Sequence, residues 1–219
     1  MKTVLAPNAL GDNIVMSGGI VWLSHKYGGI SLCVPSTVYS SVVTFYVNHP
    51  DVTVRSVHYA EMKELEKDKD NVTIGLNIAL VQYVMTESWD KYIYRNIGVD
   101  FSERFNSCPI REAAGKVKQV RWPKGIPLLH DDASRDMAIS IFPKYPAKFK
   151  RVWNDGKSIL QFVRAIENAP EVHVIDSAFF NLTNCLRPKG KLYWHRYARN
   201  NYIPVLKDVE TRLQWETID

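Results

Sequence analysis

Cysteine is scarce in this sequence. The 219 residues hold three (Cys33, Cys108 and Cys185), an odd number, widely spaced and with no C-x-x-C pair. That argues against a disulfide framework and against a zinc site built on paired cysteines. The three read instead as small buried hydrophobes in a reducing cytoplasm. Long apolar runs are missing too, since nothing approaches the ~18–20 residues that cross a bilayer. The opening MKTVLAPNALGDN reaches Pro7, Asn8 and Asp12 too soon to build the apolar centre of a signal peptide. A soluble, cytoplasmic protein with no membrane span is therefore expected. Internal repeats and low-complexity tracts are also lacking. Acidic residues are the minority, 23 against 28 Lys and Arg, for a net charge of +5. That excess suits a polyanionic partner or a phosphorylated substrate but selects neither. A composition 46% hydrophobic and 23% charged is ordinary for a globular protein, and it excludes a disordered chain, a collagen-like repeat and a long coiled coil. The length allows one large domain or two small ones.

What is present is alternation. Thr3–Ala6 is a short apolar run, and Pro7–Asn13 is rich in turn formers. Ile14–Tyr27 then places apolar residues at helical spacing up to Gly28-Gly29. Ile30–Pro35 and Val52–Val57 read as strands, with a helix through Val38–Val47 between them, capped by Ser36 and stopped by Asn48-His49-Pro50. This β-α-β-α-β order predicts a parallel sheet with helices on both faces. The charged stretch Glu61–Asp70 reads as a solvated face, Val72–Leu76 as a strand, and residues 88–112 as helix and lid-like loop around Gly98. Residues 113–125 are basic and broken by Gly115, Pro123 and Gly125, which suggests a linker. A second alternation follows. Strands are expected at Ile126–Leu129, Ile139–Phe142, Lys150–Trp153, Glu171–Ile175 and Lys191–His195. Helices are expected at Ile159–Asn168, capped by Ser158, and at Ala178–Leu186, with the C-terminal tail packing back as strand or helix.

Two motifs carry the most information: Leu10-Gly11-Asp12 at the first βα turn, and Asp176-Ser177-Ala178-Phe179-Phe180-Asn181-Leu182 at a late helix start. Together they resemble the ADP-heptose heptosyltransferase family, which consists of GT-B glycosyltransferases built from two Rossmann-like domains. In that family the first strand leads into an L-G-D loop, and a D-[ST]-G-x-x-H-L segment opens a helix beside the nucleotide phosphates. Here Ala178 stands for the family's Gly and Asn181 for its His, and the chain is shorter. The sequence is also similar, more nearly, to small uncharacterised viral and bacterial glycosyltransferase-like proteins. The shared segments are His130-Asp131-Asp132-Ala133-Ser134-Arg135, Ile175-Asp176-Ser177 and His195-Arg196-Tyr197-Ala198-Arg199.

The resemblance implies an α/β, GT-B-like fold. Residues 1–122 would form a Rossmann-like, acceptor-side domain and 123–219 a Rossmann-like, nucleotide-sugar-binding domain, with a cleft between them. It implies transfer of a sugar from a nucleotide sugar to a hydroxyl, with inversion, no cofactor and no metal. The acceptor would be a glycan or a hydroxylated DNA base. Asp12 matches the base that removes the acceptor proton, although the same carboxylate could simply cap the helix that follows. Gly11 would let backbone approach a ligand, and Asn8 and Asn13 would hold sugar hydroxyls. Ser177 and the amides after it would meet the diphosphate, with Asp176 and Asn181 organising the pocket. Asp131 and Asp132 invite a metal reading, but the favoured one is a cleft loop in which Asp132 and His130 line the pocket and Arg135 grips phosphate in a bidentate pair. His195 and Arg199 are assigned to the same pocket. Lys189, Lys191 and Arg196, interleaved with Tyr193 and Trp194, form a candidate polyanion surface. Lys144, Lys148, Lys150 and Arg151 read as a solubilising cluster, and His25 and His173 as packed core histidines. The rival reading is a non-catalytic nucleotide- or sugar-binding or interaction module on the same fold. Oligomeric state is left open.

Overall fold

The structure is a computed structural model describing residues 1–75, 88–132, 135–140, 149–153, 157–198 and 211–218. Two all-parallel sheets organise it. The first contains β1 (Lys2–Leu5), β2 (Ile30–Pro35), β3 (Val52–Val57) and β4 (Val72–Thr73), in the order β3-β2-β1-β4. The second contains β5 (Leu128–His130), β6 (Lys150–Arg151), β7 (Glu171–Val174), β8 (Lys191–His195) and β9 (Trp215–Ile218), in the order β6-β5-β7-β8-β9. β2 is buried at every position except Pro35, as a strand covered on both faces must be. β3 buries only its ends, Val52 and Val57, as suits an edge.

The helices are α1 (Leu10–Tyr27), α2 (Ser36–Phe45), α3 (Tyr59–Leu65), α4 (Trp89–Asn96), α5 (Glu103–Asn106), α6 (Ile110–Ala114), α7 (Val163–Asn168) and α8 (Ala178–Asn184). A 3₁₀ turn, Ile159–Phe162, leads into α7, and Ser158 Oγ accepts the Leu160 N–H at its start. α1 is buried without interruption from Asn13 to Val21, which marks a central helix rather than a surface one. It packs on α2, α4, α5 and α8. Gly18 makes the α5 approach possible, because a Cβ there would stand 2.0 Å from Glu103 O. Tyr94 of α4 donates its hydroxyl to Val15 O at 2.9 Å and accepts the Gly19 N–H at 3.0 Å. Beside it lies a buried ion pair, Arg104 with Asp90. One apolar core runs through both halves, joining Ile14 and Phe45 to Leu160, Phe179 and Phe180. The connecting segment is pinned to the second half: Val120 N donates to Gln161 O at 2.9 Å and Gln119 Nε2 to Leu160 O at 3.0 Å.

Several expectations need correction. α1 begins at Leu10 rather than after Asp12, so Leu10-Gly11-Asp12 is its first turn and not a loop. His130 ends β5 instead of following it. The helix expected before Gly98 is α4, and residues 97–102 around Gly98 are a short turn leading from it into α5 rather than a lid. Ile139 and Ser140 are not strand, and residues 141–148, with Lys144 and Lys148, lie outside the described residues. The long helix expected from Ile159 is 3₁₀ for its first four residues. Cys108 and Cys185 are partly exposed rather than buried, and they meet across the two halves. Their hydrogen bond brings the Cys108 thiol down to about 7 and raises Cys185. Among the described residues, no helix is long and apolar enough to cross a membrane.

Candidate functional site

In open parallel sheets a ligand crevice forms outside the carboxyl ends of strands where the strand order reverses. The first sheet reverses between β1 and β4, the second between β5 and β7. The chain leaving β1 runs through Asn8 into α1, and the chain leaving β4 runs through Gly75. These two segments touch. Gly75 sits at φ +156°, and a Cβ there would lie 1.8 Å from Asn8 Oδ1. On the second sheet, β5 delivers His130 and Asp131, while β7 delivers Asp176 and Ser177 before α8. Both sequence motifs therefore stand at reversal points.

The two motifs also meet each other. Asn181 Nδ2 donates to Gly11 O at 3.3 Å, and a Cβ on Gly11 would be 3.0 Å from that nitrogen and 3.5 Å from Ala178. Asp12 occupies the third position of α1, where its Oδ2 accepts the Ala9 N–H at 3.1 Å. The capping role of Asp12 is thus present in the fold. Asn13 is fully buried, and its Nδ2 donates to Asn8 O and Ala9 O, both at 3.0 Å. Ser177 holds the N-cap position of α8 without a side-chain cap bond. Four buried polar atoms on this junction have no hydrogen-bond partner among the described residues: Asn8 Oδ1, Asn13 Oδ1, Asn181 Oδ1 and Ser177 Oγ. The amides of Asn13 and Asn181 cannot be flipped, because their nitrogens already donate to carbonyls that only accept. What they offer inward is an acceptor, and it is matched by a ligand rich in donors.

The loop after β5 is held by its own charges. His130 Nδ1 contacts Val152 O at 2.9 Å and must donate there, which leaves Nε2 as the unprotonated nitrogen. The ring stacks on Phe179 at 4.0 Å, and burial lowers its pKa. Asp131 is buried; its Oδ2 accepts the Ile139 N–H at 3.0 Å and its Oδ1 lies 3.3 Å from Arg151 Nε. Asp132 pairs with Arg135 Nε at 2.5 Å, so that guanidinium is engaged within its own turn.

Sequence reasoning missed a groove beside this loop, at the carboxyl end of β6. Trp122, Lys150, Arg151, Trp153 and Phe162 line this open groove of about 140 Å³. Lys150 Nζ lies 5.2 Å over the Trp122 ring, and Trp153 is 65% exposed. The signal was legible as basic–aromatic interleaving in Arg121-Trp122-Pro123-Lys124 and Lys150-Arg151-Val152-Trp153, stretches read above as linker and strand.

The remaining candidates are dispersed. His195 is buried, with Nε2 3.0 Å from His173 Nδ1, and His173 Nε2 lies 3.2 Å from Glu171 Oε2. A carboxylate only accepts, so His173 carries its proton on Nε2 and His195 donates from Nε2. Burial, then the neighbouring His173, pulls His195 down to about 4. His173 is the packed histidine expected, whereas the His25 side chain is 68% exposed and that expectation is corrected. Lys189 and Lys191 stand at the amino end of β8 and Arg196 beyond its carboxyl end, 5.3 Å over Trp194. At ~3.3 Å per residue the strand separates them by roughly 16 Å, so they do not form one patch. Lys189 Nζ donates to Asn168 Oδ1 at 3.2 Å. Arg199 lies outside the described residues.

Two parallel sheets with reversal points at their carboxyl edges define the GT-B class of α/β fold, and comparison with solved structures agrees. The chain is similar in fold to the E. coli heptosyltransferase WaaC with ADP-2-deoxy-2-fluoro heptose, at 11% identity and a TM-score of 0.54, across 100% of this chain and 93% of that one. It is also similar to the iron-containing dodecameric glycosyltransferase TibC from enterotoxigenic E. coli, at 11% identity and 0.51, across 88% of this chain and 58% of that one. No protein-family model matches the sequence, and no curated protein matches it. The expectation of no cofactor is corrected by TibC: an iron-containing enzyme shares the fold, so the fold gives no ground for excluding a metal.

Proposed function

We propose that the chain is a glycosyltransferase that moves a sugar from a nucleotide sugar to a hydroxyl acceptor, with the glycosyl group held at the α1–α8 junction. The observation that carries this reading is the set of unpartnered acceptors there, Asn8, Asn13 and Asn181 Oδ1 with Ser177 Oγ. Three amide oxygens repel a phosphate, which only accepts, and suit the hydroxyls of a sugar. The diphosphate would lie next to them, at Ser177 Oγ and the loop that holds Arg135. The base would stack in the Trp122–Trp153 groove, where Lys150 and Arg151 add positive charge. Positive charge at the leaving diphosphate stabilises the charge that develops as the anomeric bond breaks. Asp12 would take the acceptor proton while the hydroxyl attacks from the opposite face, which inverts the anomeric centre. ADP-sugars are the first donors to try, since WaaC is described with one. The split of Lys189 and Lys191 from Arg196 favours a glycan over DNA as acceptor, and residues 1–122 are proposed as the acceptor side.

A non-catalytic binding module is the second reading. It is favoured by the engagement of Asp12 with Ala9.

Calorimetric titration of ADP-, UDP-, GDP- and dTDP-sugars, each against its free nucleoside diphosphate, tests the pocket. The sugar nucleotide should bind more tightly than the free diphosphate, and Asn181→Ala should erase about tenfold of that difference, the worth of one hydrogen bond. Ser177→Ala should weaken the diphosphate about as much while leaving the nucleoside unchanged. Equal binding of sugar nucleotide and free diphosphate by the wild type would contradict the assignment.

A further inference from the structure

At the amino edge of the first sheet, opposite the candidate site, three metal-competent side chains from two parts of the sequence come together. His25 lies in the last turn of α1, and His49 and Asp51 flank Pro50 in the turn between α2 and β3. One ligand atom from each falls within 4.8 Å of the others, and His25 Nε2 is 3.8 Å from Asp51 Oδ2. We infer that His25, His49 and Asp51 form a binding site for a borderline divalent cation of the zinc class, independent of glycosyl transfer.

The chemistry of the donors selects that class. Two imidazoles and one carboxylate suit Zn²⁺, Co²⁺ or Ni²⁺, whereas Mg²⁺ and Ca²⁺ require an oxygen shell. Bonds of about 2.0–2.1 Å in tetrahedral geometry put ligand atoms about 3.3 Å apart, so the His25–Asp51 pair needs to close by about half an ångström and the pairs with His49 by up to about 1.5 Å. Rotation of the exposed His25 and half-buried His49 side chains would supply that movement.

The other two ligands sit on fixed backbone. His49 N donates to Tyr46 O at 2.8 Å, Val52 N to His49 O at 3.0 Å, and Ile30 N to Asp51 O at 2.8 Å. The ring of Pro50 restricts the residue between them. Ser24 Oγ donates to Asp51 Oδ2, the kind of outer hydrogen bond that orients a ligating carboxylate. Two helices end here as well, α1 after Tyr27 and α2 after Phe45. Their carbonyl ends both present negative potential to a cation. A metal at this point would tie α1 to the turn before β3 and leave its remaining coordination positions to water.

The test uses the untagged full-length chain, stripped with chelator and titrated with Zn²⁺ by calorimetry and with Co²⁺ by visible absorption. One equivalent of Zn²⁺ should bind. The Co²⁺ complex should show ligand-field bands without a sulfur-to-cobalt charge-transfer band, which separates this site from Cys108 and Cys185. His49→Ala and His25→Ala should each weaken Zn²⁺ by about 100-fold or more, and Ser24→Ala by about tenfold. Because His25 is exposed, His25→Ala should keep its fold, to be checked by circular dichroism, and its thermal midpoint should no longer rise with Zn²⁺ as the wild type's does. Absence of Zn²⁺ binding by the wild type, unchanged affinity in folded His25→Ala, or a thiolate charge-transfer band would overturn the inference.

Discussion

Asp12 carries two roles that a single side chain can separate. Its Oδ2 holds the Ala9 N–H at the start of α1, and in the proposed reaction the same carboxylate accepts a proton. Asparagine keeps an oxygen for the N–H and loses the basicity, whereas alanine loses both. In denaturant unfolding, Asp12→Asn should match the wild type, and Asp12→Ala should lose about 1 kcal/mol, the usual worth of such a cap. Equal stability of all three would mean that the bond to Ala9 contributes nothing. At this scale the sequence was informative where a residue type has few alternative uses. Gly11 at a close approach and Ser177 at a helix start could be picked out from their neighbours. His25 could not, because its helical spacing points to the core while its place in the last turn of α1 leaves it in solvent. Nor could the pairing of Asp132 with Arg135, which depends on the turn that residues after β5 take.

The β7–β8 pair contains a titrating element. Parallel registration sets His173 opposite Tyr193, and the two rings stack at 4.5 Å. His195 ends β8 with its Nε2–H committed to His173. Protonating His195 would bury a charge beside that imidazole, which is why its pKa falls to about 4 from an ordinary 6.5. The folded state therefore binds fewer protons than the unfolded chain. Its stability from this group is complete above pH ~6.5 and declines as the pH falls through the interval down to about 4, by roughly 3 kcal/mol in all. Unfolding free energies measured across that interval should show the decline, with His173 acting in the same direction. His195→Gln, which keeps a donor for His173, should flatten the curve; an unchanged slope would place the titration elsewhere. Elements of this kind were legible where apolar runs are continuous, as in β2, β7 and β8. Helix was expected within residues 88–112, but its division into the short α4, α5 and α6 was not legible, because four to eight residues each are too few to show a clean helical period.

For the whole molecule, the order of strands and helices was enough to expect two parallel sheets. It could not give the central position of α1, whose burial comes from α8 and α5 packing on it as much as from the first sheet. Nor could it give the groove, since Trp122 and Trp153 are 31 positions apart and meet only because the connecting segment is pinned against the second half. The candidate site has the same origin. The family resemblance already pointed to Asn8, Asn13 and Asn181; what the order of residues could not give is their common junction, which forms where Asn181 meets Gly11. That juxtaposition is the basis of the functional reading. The most direct measurement is release of nucleoside diphosphate from sugar nucleotides in the presence of hydroxylated acceptors, comparing wild type with Asp12→Asn. The wild type should turn over, and Asp12→Asn should bind the donor as tightly while its kcat falls by ~10²–10⁴. Release of no diphosphate from any sugar nucleotide that binds, or an Asp12→Asn rate equal to the wild type's, would contradict it.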